Sequence, residues 1–600
     1  MKPTILAILL LCGVSQWSQA QTQVIFRVAE IPIGEATNVG VRGDTEPLSW
    51  YESMKMEKRG DTYYLPVTFP AETHDIEFKF VLFDEKGEPI WENIDNRALQ
   101  FKKEKEVNYR GNWNEEPYID PSSLPRLSSE QLLADYKLIE RMVLDVHPGT
   151  YRYNEEATIK DALATLKEKF QQEQTYGAAY LAISKLLASI QCDHTFASFY
   201  NQNALIKSVI HRQRDKLPFT FRWIAGKMIV IYDASEAQLL KRGTEIEAIN
   251  GIPVADIKEK MLAYISSDGG GAGSRIAKTE LYGYDFRYDA FDVLHPLLFP
   301  LTGENFELSI RAFEAMDSES MTVKATTRKE RNRLLGLRYP SFPKTRDDLL
   351  SFRMTDDNIG ILKLGSFGLM GWKSLSLDYK AFFADAFAQL AKNKAQHLII
   401  DIRESVGGSD EMKDELVTYF NVDRVINEDR EGRTRYLQFP EALKPFVQSW
   451  GDEPWYYALK REEATQKDGY YIFRKTYYRN QRNKKKKHVF KGKAYLLTSA
   501  QNASLSYYLA QDFRKFKVGQ LIGQETDGNL QGINGGQILF LRLPNSTIEI
   551  DFPVMGDFVD GEQPNHGVIP DILVEPTVSD IYQGIDTELE TAFKVIKTNN

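Results

Sequence analysis

The chain has 600 residues, of which 42% are hydrophobic and 26% charged, and its formal net charge is −9. This length exceeds what one hydrophobic core supports and the composition is that of a folded protein, so several domains are expected. The acidic balance, with no basic domain, argues against nucleic acid as a partner. Beyond the first 20 residues the chain has no run of about 18 apolar residues, so no membrane span is expected there.

The first 20 residues have the pattern of a signal peptide. Lys2 supplies the positive charge, residues 5–14 form a short apolar region, and Ser18-Gln19-Ala20 is a small-x-small cleavage site. Cleavage there leaves Cys192 as the only cysteine, so no internal disulfide is expected. The sequence therefore predicts an exported protein, periplasmic or extracellular.

The next two regions differ in the spacing of their hydrophobic residues along the chain. Residues 22–116 carry short alternating runs, such as 63–69 and 76–81, separated by turn signals, and this pattern predicts a β-sandwich. Residues 127–212 carry helical periodicity in three segments, and Ser128 to Gln131 read as a capping box at the start of the first. The third segment ends directly at Cys192-Asp193-His194-Thr195.

The two C-terminal regions mix strands and helices. Within residues 215–330, a strand closed by an Asn-Gly turn at 250–251 precedes a helix, and the glycine-rich segment 266–273 reads as a flexible loop. In residues 340–600, buried strands alternate with helices, which predicts an α/β core. The expected strands are 359–364, 398–402, 494–497 and 518–522, and the expected helices are 375–390, 412–420 and 505–513.

Two of these strand ends carry groups suited to acyl transfer. The strand 398–402 runs into Gly407 and Gly408, whose amides can approach a ligand closely. The strand 494–497 runs through a polar turn to Ser504 at the start of a helix, where free N–H groups favour negative charge. A serine nucleophile and backbone donors for an oxyanion are what acyl-transfer chemistry needs.

These segments resemble the tricorn-like and C-terminal-processing serine peptidase family over roughly residues 120–600. The resemblance implies a peptide or protein substrate, no cofactor, no metal, a PDZ-like insert at 215–330 and a crotonase-like core at 340–600. The expected fold class is thus multidomain α+β, with the β-sandwich and helical cap preceding these two domains. The matching motifs are Asp401-Ile402-Arg403-Glu404-Ser405-Val406-Gly407-Gly408, Ser504, Ile522-Gly523-Gln524-Glu525-Thr526-Asp527-Gly528, Leu543-Pro544-Asn545-Ser546 and His566-Gly567-Val568-Ile569-Pro570-Asp571.

The family spacing favours Ser504 over its neighbour Ser506 as the nucleophile, and it implies an oxyanion hole made by Gly407 or Gly408 and the amide of Leu505. In the processing branch the base is a lysine about 25 positions after the serine, where this chain has Asn529. An asparagine cannot accept the proton, so a Ser–Lys mechanism is disfavoured.

The tricorn-like branch takes its base from a histidine in the helical region, and Asp193-His194-Thr195 resembles that motif. Histidine suits this role near neutral pH. His566 is the alternative candidate for the general base. The resemblance implies Glu562 as the carboxylate that orients His194, with Glu525 as the second choice.

The N-terminal region resembles starch-binding carbohydrate modules. Trp50, Lys79 and Trp91 match the residues that form the sugar platform in that family, which implies α-glucan binding. The alternative is that both tryptophans belong to the core of the sandwich. For the whole chain two hypotheses follow, an exported serine endopeptidase and a catalytically inactive protein that binds peptide or glycan on the same scaffold.

Overall fold

The computed structural model describes residues 21–29, 31, 38–71, 73, 75–84, 87–92, 94, 96–100, 104–114, 120–199, 201–282, 290–342, 350–368, 378–420, 430–450, 454–459, 464–473 and 486–598. The expected signal peptide lies outside these residues, as does the start of the helix expected at 375–390. The chain divides into two compact units, residues 1–119 with 203–205 and residues 120–202 with 206–600.

The N-terminal region is all-β, as expected. One sheet has the order β4-β5-β1-β9 and the other has β3-β2-β6-β7, with β8 also paired to β6. Alternate residues of β6 are buried, so the strand presents an apolar face to one core that both sheets share. The strands are β1 Thr22–Ala29, β2 Asn38–Gly43, β3 Met54–Lys55, β4 Glu57–Arg59, β5 Thr62–Phe69, β6 Asp75–Phe83, β7 Pro89–Trp91, β8 Arg97–Gln100 and β9 Glu106–Asn112.

Three helices follow, each where the periodicity predicts it: α1 (Ser129–Arg141), α2 (Glu156–Phe170) and α3 (Tyr176–Ser189). The expected capping box is confirmed, because the Ser128 hydroxyl accepts a hydrogen bond from Gln131 N while the Gln131 side chain accepts one from Ser128 N. After α3 the chain turns through residues 190–195 into the short strand β10 (Phe196–Ala197), and α4 (Ala204–Ile210) follows.

The region from 215 to 340 contains one antiparallel sheet with strand order β11-β12-β13-β15-β16, and β14 pairs with β13. The expected Asn-Gly turn lies between β13 and β14, and Asn250 has a φ of 51°. Its elements are β11 Phe219–Ile224, β12 Lys227–Asp233, β13 Glu245–Ile249, β14 Ile252–Pro253, α5 Val254–Leu262, α6 Ala272–Ala277, α7 Ala290–Leu298, β15 Asn305–Arg311, β16 Glu319–Lys324 and α8 Arg328–Arg338.

The C-terminal region is built on a sheet of order β17-β18-β19-β24-β25-β28, in which every pair except β17 with β18 is parallel. The four expected strands are present as β18, β19, β24 and β25. The elements are β17 Leu350–Met354, β18 Ile359–Leu364, α9 Tyr379–Asn393, β19 His397–Asp401, α10 Asp410–Val417, β20 Arg430–Thr434, β21 Val447–Gln448, β22 Ala464–Lys467, β23 Tyr470–Phe473, β24 Lys493–Thr498, α11 Ser504–Lys515, β25 Gly519–Gly523, β26 Gly536–Arg542, β27 Glu549–Val559, β28 Ile572–Leu573, α12 Val578–Gln583 and α13 Thr587–Thr598.

A second, antiparallel sheet of order β21-β26-β27-β20-β23-β22 also belongs to this region, and the α/β pattern alone did not predict it. The short strand β10 joins this sheet at β27, where Phe196 pairs with Asp551. The buried carboxylate of Asp135 on α1 accepts hydrogen bonds from Asn545 N at 3.1 Å and Ser546 N at 2.8 Å in the β26–β27 turn. These contacts attach the helical region, and with it His194, to the core.

Candidate active site

Ser504 lies on a tight turn between β24 and α11. Its φ is 50°, a left-handed value that residues other than glycine rarely adopt and that costs of order 1–3 kcal/mol. Asn502 holds the turn, because its side-chain amide donates to Ile402 O at 2.6 Å and to Ser405 O at 2.9 Å. A serine held on a strained strand-to-helix turn is the geometry of a nucleophile elbow.

The glycine pair that follows β19 lies directly against this serine. Gly407 and Gly408 have φ values of 123° and 145°, which side-chain-bearing residues rarely adopt. A Cβ added at Gly407 would lie 2.8 Å from Ser504 Cβ and 3.1 Å from Leu505 N. One added at Gly408 would lie 2.0 Å from the backbone of Phe367. The structure therefore brings Gly407, Ser504 and Leu505 together, as the sequence predicts.

The backbone amides beside Ser504 have unused hydrogen-bonding capacity. Within the part of the chain that the structure describes, the amides of Gly408 and Leu505 donate to no protein acceptor. The amide of Gly407, by contrast, donates to Ser405 Oγ at 3.4 Å. Leu505 is also in the first turn of α11, where the helix dipole favours negative charge. These amides are available to an anionic ligand.

The two serines of this turn have different environments. Ser506 is fully buried and its hydroxyl donates to Ser405 Oγ at 2.8 Å. Ser504 is only partly buried, and its hydroxyl has no hydrogen-bond partner among the described residues. Ser506 therefore stabilises the junction of the two strand ends, and Ser504 is the hydroxyl that a ligand can reach.

His194 lies between α3 and β10, with its ring against Gly535. A Cβ added at Gly535 would come within 2.8 Å of His194 Cε1 and 3.0 Å of Nε2. Burial lowers the pKa of His194 to about 4, with Lys278 contributing in the same direction and Asp527 and Asp557 opposing it. The imidazole is therefore neutral at physiological pH and can accept a proton. The structure records no hydrogen bond between His194 and Ser504.

Lys278 is a buried cation near His194 that the sequence patterns did not single out. Its ammonium group donates to Asp193, to Asp527 Oδ2 at 2.9 Å and to Ser266 O at 3.0 Å. Burial opposes its charge, but Asp193 and Asp527 outweigh burial and raise the pKa of Lys278 above its usual value. A lysine held in its charged form cannot serve as a general base. It neutralises part of the acidic cluster instead.

Asp268 is the second group that the sequence missed. The segment 266–273 was expected to be a flexible loop, and this expectation is wrong for its first part, because Ser266, Ser267 and Asp268 are 8%, 2% and 0% exposed. Burial, together with Asp193 and Asp527, raises the pKa of Asp268 well above its usual value. One oxygen of its carboxylate lies within 4.8 Å of a ring nitrogen of His194.

Asn529, at the position of the lysine in the processing branch, is a buried structural residue. Its side-chain amide donates to Asp268 O at 3.2 Å and to Asn565 Oδ1 at 2.6 Å, and its carbonyl accepts from Tyr507 at 2.5 Å. It therefore connects the 266–273 segment, the C-terminal loop and the helix α11.

The remaining candidates have no recorded hydrogen bond to His194. Glu562 is exposed. Glu525 Oε1 accepts from Gly567 N at 2.8 Å, and His566 Nδ1 lies 2.7 Å from Gly567 O. Glu525 and His566 thus both contact the loop at Gly567.

A large cavity opens beside the nucleophile turn. Its volume is about 1000 Å³, which is at the upper end of the range for small-molecule sites. It extends from Ala500 and Gln501, in the turn before Ser504, to Arg222 on β11 and Arg403 after β19. Carboxylates line the same cavity, among them Glu404 and Glu525. The cavity is large enough for several residues of an extended peptide.

The three residues expected to bind sugar lie on one side of the N-terminal sandwich. Trp91 is 38% exposed, so its ring is a surface group and the core alternative does not hold for it. The rings of Trp50 and Trp91 are 6.3 Å apart and inclined at 44°. Arg42 fixes their arrangement, since its guanidinium lies 5.0 Å from the Trp91 ring and donates to Trp50 O at 3.0 Å. Lys79 Nζ donates to Glu92 O at 3.4 Å.

Comparison with known families first defines the class: residues 358–574 match the model of Peptidase family S41, so the protein is a serine-type peptidase. Residues 21–110 match the model of the Starch binding domain. The chain therefore contains a peptidase family S41 domain in its C-terminal region and a starch-binding domain in its N-terminal region. No curated protein matches the chain.

Two solved structures have a similar fold. Mature CPAF is 14% identical over 78% of this chain and 96% of its own, with a TM-score of 0.52. Mature CPAF complexed with lactacystin is 15% identical over 78% of this chain and 97% of its own, with a TM-score of 0.53. The photosystem II D1 C-terminal processing protease is 14% identical over 76% of this chain and 96% of its own, with a TM-score of 0.34.

Across the residues that the structure describes, no helix has both the length and the apolar character that crossing a bilayer requires.

Proposed function

We propose that the protein is an exported serine endopeptidase that hydrolyses peptide bonds through an acyl-enzyme on Ser504. The observation that carries this proposal is the left-handed φ of 50° at Ser504, combined with the glycine backbone of Gly407 packed against its Cβ. A strained serine and a Cβ-free neighbour leave room for a carbonyl carbon beside the hydroxyl.

In the proposed reaction Ser504 Oγ attacks the scissile carbonyl and His194 accepts the hydroxyl proton. The carbonyl oxygen becomes an oxyanion that the amides of Gly408 and Leu505 stabilise, with Gly407 shaping the turn. His194 then donates its proton to the leaving amine, and the C–N bond breaks. Water, deprotonated by the same histidine, attacks the ester; the C–O bond to Ser504 breaks, and His194 returns the proton to Ser504 Oγ as the second product leaves. Burial lowers the pKa of His194 to about 4, which keeps its imidazole neutral at physiological pH.

The carboxylate that orients His194 is proposed to be Glu562, by resemblance, and Glu525 is the second choice. Asp268 is a third candidate, because one of its oxygens lies within 4.8 Å of a His194 ring nitrogen, a separation that one water can bridge. Glu562→Gln and Asp268→Asn separate these assignments. The substitution of the residue that orients His194 should lower kcat with little change in KM, whereas the other substitution should leave kcat unchanged.

The proposed domains are a helical cap at 127–212, a PDZ-like domain at 215–330 and a crotonase-like catalytic domain at 340–600. The antiparallel sheet of order β11-β12-β13-β15-β16 supports the second assignment, since PDZ domains are built on such a sheet and take a peptide as an added strand. Arg222 of β11 lines the same cavity as Ala500 and Gln501, which lie in the turn before Ser504.

The starch-binding domain is proposed to place the peptidase on α-glucan, through Trp50, Trp91 and Lys79. The exposed Trp91 ring and its fixed angle to Trp50 support this proposal, because flat apolar faces stack on sugar rings. Export to the periplasm or the exterior, on the signal-peptide pattern of residues 1–20, would bring the domain to such a polymer.

Labelling with a fluorophosphonate tests the proposal. We expect the parent protein to be labelled and Ser504→Ala not to be. Ser506→Ala is the matched control: it removes a buried hydroxyl two positions away, costs about 0.5–1.5 kcal/mol of stability, and keeps the label. A folded parent without labelling would favour the inactive peptide- or glycan-binding protein instead.

A further inference from the structure

Three side chains that can bind a metal converge at the end of α3. Cys192 Sγ, a ring nitrogen of His194 and a carboxylate oxygen of Asp268 all lie within 4.8 Å of one another. Cys192 and Asp268 are fully buried. The sequence predicts no metal here, because residue 268 is distant in the chain and comes beside residues 192–194 only through the fold.

Two polar atoms in this cluster lack partners. Among the described residues, His194 Nδ1 and Asp268 Oδ2 are buried and form no hydrogen bond. Leaving a buried polar atom unpaired costs about 1–3 kcal/mol, and more for a charged group. A ligand that both atoms can bind would remove this cost, and it must be small because the space between the three side chains is small.

The chemistry of the three groups selects the ligand. Thiolate, imidazole and carboxylate together suit Zn²⁺ and related borderline divalent ions, whereas Mg²⁺ and Ca²⁺ prefer oxygen ligands only. We propose that Cys192, His194 and Asp268 form a binding site for zinc, and that zinc bound there inhibits the peptidase.

The surrounding backbone holds the three groups in place. Asp268 Oδ1 accepts from Asp193 N at 3.2 Å, and Asn529 donates to the carbonyl of Asp268 at 3.2 Å. The Cys192 thiol donates to Asn534 O at 3.4 Å and releases this proton when it binds zinc, and a water is the fourth ligand. Zinc bonds of about 2.0–2.3 Å require ligand atoms about 3.3–3.8 Å apart, so small side-chain rotations close the site.

The inhibitory role rests on the proposed function of His194. A neutral imidazole has a free lone pair on only one ring nitrogen, and its other nitrogen carries the proton. A His194 that gives this lone pair to zinc therefore cannot take the proton from Ser504. Binding itself does not depend on catalysis, and the two parts of the proposal can be tested separately.

Cobalt titration of the full chain carrying Ser504→Ala tests the site without any contribution from activity. Co²⁺ is the probe, since a thiolate bound to it gives a charge-transfer band in the near ultraviolet. We expect a saturable band at one equivalent, which zinc displaces. Cys192→Ser added to this protein should abolish the band and weaken cobalt binding more than tenfold.

Absence of the band in the parent, or its persistence in Cys192→Ser, would overturn the site. Circular dichroism checks that each variant folds. Asp268→Asn, which keeps the side-chain shape, is the second variant and should keep the band while weakening binding. On the active protein, zinc should inhibit hydrolysis in the parent and much less in Cys192→Ser. A band without inhibition would refute the inhibitory role, while an inactive parent that shows the band would count against the peptidase proposal alone.

Discussion

Substituting Gly407 by alanine should disable the nucleophile turn. The added Cβ would lie 2.8 Å from Ser504 Cβ, about 0.7 Å inside the usual contact distance of roughly 3.5 Å. The φ of 123° adds backbone strain of order 1–3 kcal/mol, because an alanine rarely adopts it. The substitution therefore pushes Ser504 and Leu505 N, 3.1 Å from the new atom, out of position.

The expected loss of turnover follows from these two displacements. A misplacement of about 1 Å costs about 10²-fold in rate, and loss of one oxyanion donor costs about 10²–10³-fold. We expect kcat on a fluorogenic peptide to fall by about 10²–10³-fold. The strain should lower the melting temperature by about 2–4 °C for each kcal/mol, which leaves the protein folded at assay temperature.

Gly273→Ala is the control. It lies in α6, and a Cβ there meets only Ala500 Cβ at 3.8 Å, so the added methyl fits. Alanine also favours a helix over glycine by about 0.5–1 kcal/mol. Kinetics and thermal melts of both variants should show a lost kcat in Gly407→Ala only. Unchanged turnover in a folded Gly407→Ala protein would refute the argument that this glycine shapes the site.

Three further predictions concern the base, its packing and the sugar site. His194→Ala should lose as much turnover as Ser504→Ala, and the double variant should lose no more, because the two residues act as one unit. Asn529→Ala should keep turnover within a few-fold of the parent while lowering the melting temperature. If Asn529→Ala lost as much turnover as His194→Ala, the assignment of His194 as the base would be wrong. Gly535→Ala should lower kcat but not raise KM, since its Cβ would displace the His194 ring, 2.8 Å away; an unchanged kcat would contradict the placement of the ring. Because Trp91 is 38% exposed, Trp91→Ala should keep the parent's melting temperature but lose retention on an α-glucan affinity gel. Unfolding of this variant would instead indicate a core role for Trp91. If no α-glucan retained the parent protein, the starch-binding proposal would be wrong.

The secondary structure around the nucleophile was predictable because its signals are local. A buried apolar run, a polar turn and helical periodicity define β24 and α11, which begins at Ser504, one residue before the expected start. The strand Ile359–Leu364 has the expected bounds. The strained φ of Ser504 was not predictable, because the contacts of Asn502 with the neighbouring strand end impose it.

The groups around His194 were predictable only in part. The motif at residues 193–195 singled out the histidine, but Lys278 and Asp268 come beside it through tertiary contacts that leave no periodic signal. A run of serine, aspartate and glycine has the composition of an exposed loop. In the structure residues 266–268 are buried. Asn529 donates to the carbonyl of Asp268, and Asn565 accepts from Gly270 N.

Trapping the acyl-enzyme tests the central claim most directly. A peptide ester that acylates faster than it deacylates is mixed with the parent protein, the reaction is quenched in acid, and the modified peptide is mapped by mass spectrometry. The account predicts one acyl group per chain, on Ser504, and its loss in His194→Ala. An acyl group on any other residue, or none on a folded protein that cleaves peptides, would contradict it.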